Sequence, residues 1–286
     1  MDIVKSDIIQ ISDALFIKLG KLISEKYGIK MPIEKKIMFQ SRMQRRLQEL
    51  SMGSFDEYAE VLLDVKDITN EFSIMADYVS TNKTEFFREN AHFNFLSDTV
   101  LPKFQSQVQA FRIPIMNIWS AGCSSGQESY SISITIEEFM RSSGFKMAYS
   151  IMATDISTRM LKTAKEAIYP IALVDDISLD LKQKYFLKSK DLNDSKVRVA
   201  KEIREKVRFA YLNLMDDSYH VKGDFNVIFL RNTLIYFEPA VQKRVLNKVL
   251  ERLVEGGYLF IGHSESLINM NLPIRSIAPS VYIKNK

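Results

Sequence analysis

Residues Ile115 to Ser133 read Ile-Met-Asn-Ile-Trp-Ser-Ala-Gly-Cys-Ser-Ser-Gly-Gln-Glu-Ser-Tyr-Ser-Ile-Ser. An apolar stretch of strand length passes into a loop of small residues and then into a helix with Glu128 in its first turn. Strand, tight turn and helix N-terminus together form a ligand cradle, because free backbone N–H groups point outward there. Gly122 and Gly126 let the backbone turn sharply and approach a bound molecule. The spacing is G-x-x-x-G, not the G-x-G-x-x-G of dinucleotide enzymes, which disfavours NAD-type oxidoreduction. A second strand, Tyr149 to Thr154, ends in Asp155, about 30 residues after the loop, where a carboxylate can grip a ribose diol. The pairing suggests an adenosine-bearing ligand.

From about residue 111 apolar runs of strand length alternate with amphipathic helices, which predicts an α/β fold with a parallel sheet covered on both faces. The expected strands are Ile115 to Ser120, Ala148 to Thr154, Val207 to Tyr211, Phe225 to Leu230, Gly257 to Gly262 and Val281 to Lys284. The last follows a short loop, compatible with an antiparallel insertion at the sheet edge. Helices fit Glu128 to Arg141, Thr158 to Ile168 and Pro239 to Leu253, with Gly256-Gly257 as a helix stop. Residues 171 to 206 interrupt the alternation with a lysine-rich insertion, including an expected hairpin around Asp191 to Ser195.

Residues 1 to about 79 read as a wholly helical bundle, with periodic apolar positions in Ile8 to Ile23, Glu34 to Leu50 and Phe55 to Leu63. In the second helix Phe39, Met43, Leu47 and Leu50 form one stripe. Arg42, Arg45 and Arg46 fall on a neighbouring face, so three guanidinium groups are expected to point the same way. Lys30 to Leu50 holds six basic and two acidic residues, equal to the net charge of +4 of all 286 residues. Such a cluster attracts nucleic acid, acidic membrane or an acidic protein, or is simply a solvated helix face.

With 46% apolar and 26% charged residues the composition is that of a soluble globular protein. No apolar run reaches the roughly 20 residues needed to cross a bilayer, and the N-terminus lacks a signal-peptide core, so a cytoplasmic location is expected. One cysteine, Cys123, and three dispersed histidines offer no zinc set, so no metal is expected.

Four further segments should gather at the carboxyl ends of the strands. They are Thr81 to Arg88, Leu212-Asn213-Leu214, Arg231 to Phe237, and Gly262-His263-Ser264-Glu265-Ser266. With the cradle and Asp155 they spell T-N-x-T-x-F-F-R, W-S-A-G-x-S-x-G-x-E, T-D-I, L-N, F-x-R-N-x-x-I-Y-F and G-H-S-E, over nearly the whole chain. In this order the motifs closely resemble the CheR family, chemotaxis receptor methyltransferases that use S-adenosylmethionine (SAM).

The resemblance implies a Rossmann-like methyltransferase domain over 80–286, with a small inserted β-subdomain at about 180–206, preceded by a helical receptor-docking domain over 1–79. It implies transfer of the SAM methyl group to glutamate carboxylates on the cytoplasmic helices of chemoreceptors, leaving S-adenosylhomocysteine. A glutamate is already anionic at neutral pH, with a pKa near about 4.3, so no general base is needed. Carboxylate and sulfonium lose charge toward the transition state, which a water-poor pocket favours.

By the same resemblance Asn82, Thr84, Arg88, Ala121, Gly122, Glu128, Asp155, Asn213, Leu214, Asn232 and Thr233 would hold SAM. Arg88, Tyr236 and Arg231 would face the reacting carboxylate, and Arg42, Arg45 and Arg46 would dock the receptor. Each has a plain alternative. Thr84 could cap a helix, Arg88 could sit in a surface ion pair, and Glu128 could complement a helix N-terminus. Asp155 could cap the following helix, Leu214 could be core, and Tyr236 could be a buried tyrosine with a satisfied hydroxyl.

Some family members hold a receptor C-terminal pentapeptide on a G-x-G-x-x-x-G hairpin. Ser189 to Ser195 has no glycine, so independence of that tether is expected. The competing readings are a SAM-dependent methyltransferase with another acceptor, such as nucleic acid, and a non-catalytic SAM-binding signalling scaffold. Neither nucleic acid nor membrane insertion is expected, and a place at receptor arrays on the inner membrane follows from the resemblance.

Overall fold

The computed structural model describes residues 8–64, 68–111, 115–191, 194–221, 223–268 and 270–285. The chain forms two compact units, one of residues up to Thr81 together with Tyr236–Val241, the other of Asn82–Ile235 and Gln242–Lys286. Among the described residues no helix is long and apolar enough to cross a membrane.

Among the described residues the first unit holds four α-helices, α1 (Asp13–Tyr27), α2 (Lys36–Glu49), α3 (Phe55–Asp64) and α4 (Ile68–Val79). Ser12 caps α1 by accepting the Leu15 N–H, and Gly28 ends it at φ 72°. Phe16, Leu19, Ile23 and Tyr27 recur at helical spacing and are buried. Phe16 meets Phe39 of α2 at 5.6 Å, and Phe39 meets Phe55 of α3 at 6.0 Å. Burying each such side chain contributes about 1.5–3 kcal/mol. Leu50 lies just past α2 and is only half-buried, so the expected stripe ends at Leu47.

The second unit begins with an extended and turning segment. It then enters α5 (Ala91–Phe95), which runs through one π-type turn, Leu96–Val100, into α6 (Leu101–Phe111). Pro102 lacks the N–H that an α-helical ladder would require there, which accounts for the wider turn. The remaining elements are β1 (Ile115–Ala121), α7 (Gln127–Ser143), β2 (Ala148–Asp155), α8 (Thr158–Glu166), β3 (Ile168–Pro170), α9 (Leu179–Tyr185), β4 (Phe186–Lys188), β5 (Lys196–Val199) and α10 (Lys201–Arg204). They continue with β6 (Val207–Tyr211), β7 (Phe225–Leu230), α11 (Pro239–Glu251), β8 (Leu253–Ile261), β9 (Ile274–Ala278) and β10 (Val281–Lys284).

Seven strands form the main sheet in the order β6-β2-β1-β7-β8-β10-β9. β6, β2, β1, β7 and β8 are parallel, while β10 is antiparallel to both β8 and β9. The last strand is thus the antiparallel insertion expected at this side of the sheet, and β9, which the sequence did not suggest, pairs outside it and forms the edge. β8 also starts at Leu253, ahead of the Gly256-Gly257 stop, and α8 ends before Ile168, which opens β3. The core is built from near-continuous buried runs on the central strands, with Phe229 and Phe260 stacked at 4.4 Å between neighbouring strands. Strand order reverses between β1 and β7, and the crevice beyond their carboxyl ends is where such a sheet receives a ligand.

A second sheet, β3-β5-β4, is antiparallel throughout and lies between α8 and β6 in sequence. β4 and β5 form the expected hairpin, closed by Ser189 N–H to the Lys196 carbonyl at 3.1 Å. Leu192 and Asn193 lie outside the described residues. The sheet recruits β3, upstream of the expected start near 180.

Candidate active site

The loop after β1 is shaped by its own backbone and by the tip of β2. Gly122 and Cys123 both donate to the Thr154 carbonyl, at 2.8 and 2.9 Å. Gly122 has φ +81°, and a Cβ there would lie 2.4 Å from Thr233 Oγ1, so glycine is required both by conformation and by the close approach of the loop after β7. Gly126 caps α7 at φ 95°. The Tyr169 hydroxyl, from the small sheet, braces this turn by donating to the Ser125 carbonyl at 2.6 Å.

Asp155 is buried at the end of β2. Its Oδ2 accepts the Ser124 N–H at 2.7 Å and its Oδ1 accepts the Ser157 N–H at 2.8 Å. Ser157 is the N-cap of α8, so the carboxylate organises both the cradle and the next helix. Leu212 N–H reaches the Asp155 carbonyl at 3.1 Å, which brings buried Asn213 and Leu214 beside it. Asn82 joins through its carbonyl, which accepts from Ser124 Oγ at 3.0 Å. Thr84 follows half-buried and caps no helix. Phe87 N–H donates to Ser131 Oγ on α7 at 2.9 Å, and Arg88 donates to the Lys83 carbonyl at 3.0 Å. Arg88 is half-buried and enters no surface ion pair among the described residues.

Arg231 has a different environment from the one expected. Its side chain is only 2% exposed, and its guanidinium contacts Glu89 Oε2 at 3.0 Å, Glu128 Oε2 at 3.2 Å and the Arg88 carbonyl. It also lies over the Phe93 ring. The group is therefore engaged by two half-buried carboxylates and a carbonyl, which suits holding the cleft in shape better than reaching a substrate. Glu128, at the first turn of α7 beside the end of β1, also accepts from Ser120 Oγ at 2.7 Å. Burial pushes its carboxyl above the usual range, against the pull of Arg231 and Ser120.

Two carboxylates with no assigned role in the sequence reading complete the node. Glu89 accepts Asn232 Nδ2 at 3.2 Å and the His263 N–H at 3.3 Å. Burial raises its carboxyl, but Arg231 and these hydrogen bonds outweigh burial and hold it below the ordinary value. Glu265 accepts four backbone N–H groups, from Gly262 at 2.6 Å, Leu234 at 2.7 Å, Asn232 at 2.9 Å and Ile235 at 3.4 Å. Its carboxyl is raised by burial in spite of them. The only local signals were the acidic residue after F-F-R and the last letter of G-H-S-E.

Phe87, Glu89, Ser124 and Asn232 all have positive φ, between 48° and 57°. Such left-handed non-glycine residues gather where surrounding contacts over-determine the backbone, commonly at ligand sites. Two of the three histidines are not dispersed as expected: the His92 and His263 rings lie 4.8 Å apart. With Glu89 they offer ligand atoms within 4.8 Å of one another, but the Arg231 guanidinium on Glu89 opposes a cation there. Burial pushes the Cys123 thiol well up, leaving it a packing residue.

In the helical unit the arginine row is corrected. Arg42 donates to the carbonyls of Val79 at 2.7 Å and Ser80 at 2.8 Å, closing the C-terminal end of α4. Arg46 pairs with Glu71 through bonds of 2.9 and 2.5 Å, and that carboxylate also accepts the Tyr58 hydroxyl at 2.9 Å. Arg45, 78% exposed, is the member that faces solvent. Helical spacing alone could not show that α4 lies across from two of the three. Tyr236 belongs to this unit too, and its hydroxyl donates to the Thr81 carbonyl at 3.3 Å.

The donor set of the second unit suits an adenosine-bearing sulfonium: glycine turns after β1, a carboxylate at the tip of β2, and polar groups after β7. Residues 82–283 match a family model described as CheR methyltransferase, SAM binding domain, and residues 14–80 match its all-alpha domain. The chain is 36% identical to a chemotaxis protein methyltransferase of Borreliella burgdorferi, over 94% of this chain and 93% of the relative. It is 35% identical to chemotaxis protein methyltransferase 2 of Pseudomonas aeruginosa, over 89% and 87%, and 37% identical to one of Vibrio parahaemolyticus, over 92% of each. With both domain models matched in order and the cradle, β2 carboxylate and β7 loop meeting at the crevice, the chain belongs to the CheR methyltransferase family, and SAM is its methyl donor.

Proposed function

We propose that this protein methylates glutamate side chains of chemoreceptors, producing methyl esters that serve chemotactic adaptation. The observation that carries the reading is the agreement with relatives named chemotaxis protein methyltransferase over nearly the full length of both chains. SAM, when bound, supplies an electrophilic methyl group on a sulfonium.

In this reading Asp155 takes the ribose, Asn213 and Leu214 border the adenine, and Asn82, Thr84, Ala121, Gly122, Glu128, Asn232 and Thr233 border the remainder. Arg88 and Tyr236 orient the acceptor carboxylate. Any ion pair they make with it has to stay loose, because a tight one would stabilise the ground-state anion more than the neutralising transition state. Arg231 acts as a positioning residue through Glu89 and Glu128. No group has to remove a proton from the acceptor, in keeping with a site whose one cysteine is buried.

Arg45 is the arginine of α2 we assign to receptor contact, by attraction to acidic receptor helices. Ser189 to Ser195, lacking glycine, is assigned no pentapeptide tether. The acceptor places the enzyme on the cytoplasmic side, at receptor arrays.

The test is incubation with methyl-labelled SAM and either a chemoreceptor cytoplasmic fragment or DNA. Label on the receptor that is released as methanol by base supports ester formation. Label on DNA, or SAM binding with no transfer to either, would replace the reading by another acceptor or by a scaffold.

A further inference from the structure

Asn232 leaves β7 in the left-handed conformation, at φ 54°, with its amide packed on Gly262, where a Cβ would come within 2.3 Å of Nδ2. Its backbone N–H is held by Glu265 Oε2 at 2.9 Å, so the residue is fixed through its backbone as well as its side chain. Nδ2 donates to Glu89 Oε1 at 3.2 Å. An ionised carboxylate only accepts, so only the NH2 end of the amide can face Glu89. Arg231 keeps Glu89 ionised, and the His263 N–H donates to the same Oε1 that Asn232 meets. Asn232 Oδ1 is thereby turned away from the node. It accepts no hydrogen bond among the described residues, and it lies one residue before Thr233, whose Oγ1 packs on the Gly122 turn.

From this arrangement we infer that Glu89 is a positioning residue for the methyl donor, locking the Asn232 amide with its oxygen outward to receive an ammonium or hydroxyl group of that molecule. The inference rests on the SAM-dependent reading above and extends it to a carboxylate outside the cradle. A merely structural carboxylate would need only to satisfy Arg231. The one described here also decides which end of a neighbouring amide meets the ligand.

The polarity can be reversed. Glu89→Gln keeps its oxygen on Arg231 and so turns its NH2 group toward position 232, which favours the reversed Asn232 amide. Asn232→Asp tolerates the left-handed backbone but sets two carboxylates face to face. In the double variant the new amide at position 89 donates its NH2 group to the new carboxylate at position 232, and an oxygen again faces outward.

The measurement is the dissociation constant of S-adenosylhomocysteine by calorimetry on the full chain, with circular dichroism confirming the fold of each variant. Each single substitution should weaken binding by about tenfold or more, and the double should recover to within about threefold of the wild type. Should Glu89→Gln fail to fold alone, recovery of both folding and binding in the double carries the same weight. Wild-type binding in Glu89→Gln, or a double no better than the weaker single, would overturn the inference while leaving the SAM-dependent reading intact. A wild-type protein that binds neither SAM nor its product would bring down both.

Discussion

Replacing Arg46 by alanine should damage the helical unit, whereas replacing Arg45, one position earlier, should not. Arg46 and Glu71 are 16% and 13% exposed and share two parallel hydrogen bonds. Truncation leaves Glu71 with the Tyr58 hydroxyl alone. Breaking a fully buried pair costs about 3–5 kcal/mol, and residual exposure with the surviving Tyr58 bond reduces that to about 2 kcal/mol. In a unit of this size each kcal/mol moves the midpoint by about 4–8 °C, so the helical transition should fall by roughly 10 °C. Arg45 is 78% exposed and pairs with Glu49 on its own helix, a solvent-screened contact that contributes little to stability. Its loss should appear instead as a raised KM for receptor and a weaker salt dependence of methylation, with stability unchanged. The assay is urea and thermal unfolding of the full chain by circular dichroism, run beside receptor methylation. Equal stability losses in the two variants would refute the division of labour.

Three further outcomes are expected. His92 titrates near about 4, because burial and then Arg231 disfavour its cation more than Glu89 favours it. An unfolded imidazole titrates near about 6.5, so the unfolded state binds more protons between these values and stability falls as pH drops through that window, by up to about 3 kcal/mol. His92→Phe should flatten this slope in urea midpoints taken from pH 7 to 4.5. Glu128 and Glu265, raised by burial, act with the opposite sign near the acid end, so the comparison with wild type is what decides, and an unchanged slope would contradict it. Gly122→Ala should cost about 2 kcal/mol or more and weaken SAM binding, since the new Cβ meets Thr233 Oγ1 at 2.4 Å in a left-handed backbone. Combining it with Thr233→Ala should restore part of that binding, and no restoration would refute the contact. Glu265→Leu should destabilise by about 3 kcal/mol or more through unpaired backbone donors, with Glu265→Gln milder; equal effects on the unfolding midpoint would argue against it.

The β1 cradle and Asp155 were legible because their chemistry is local: an apolar strand, glycines at the turn and an acidic strand tip lie within short windows. β9 was not, since Arg275 and Ser276 leave an exposed edge strand without a clear apolar alternation. The Glu89, Arg231 and Glu265 node was hidden for a different reason. Its members come from three distant segments, and nothing near a carboxylate in sequence states whether it will be buried or which backbone it will hold. Arg42 and Arg46 show the same limit from the other side, for a helical face can be read without knowing what packs upon it.

The Glu265 clamp has a consequence for chimeras. The chain leaving β7 takes its form from a side chain more than thirty positions downstream, so a segment transplanted from 231–235 alone arrives without its template. Exchanging such loops between relatives should succeed only when both ends travel together, and libraries that vary one while freezing the other will sample mostly misfolded crevices.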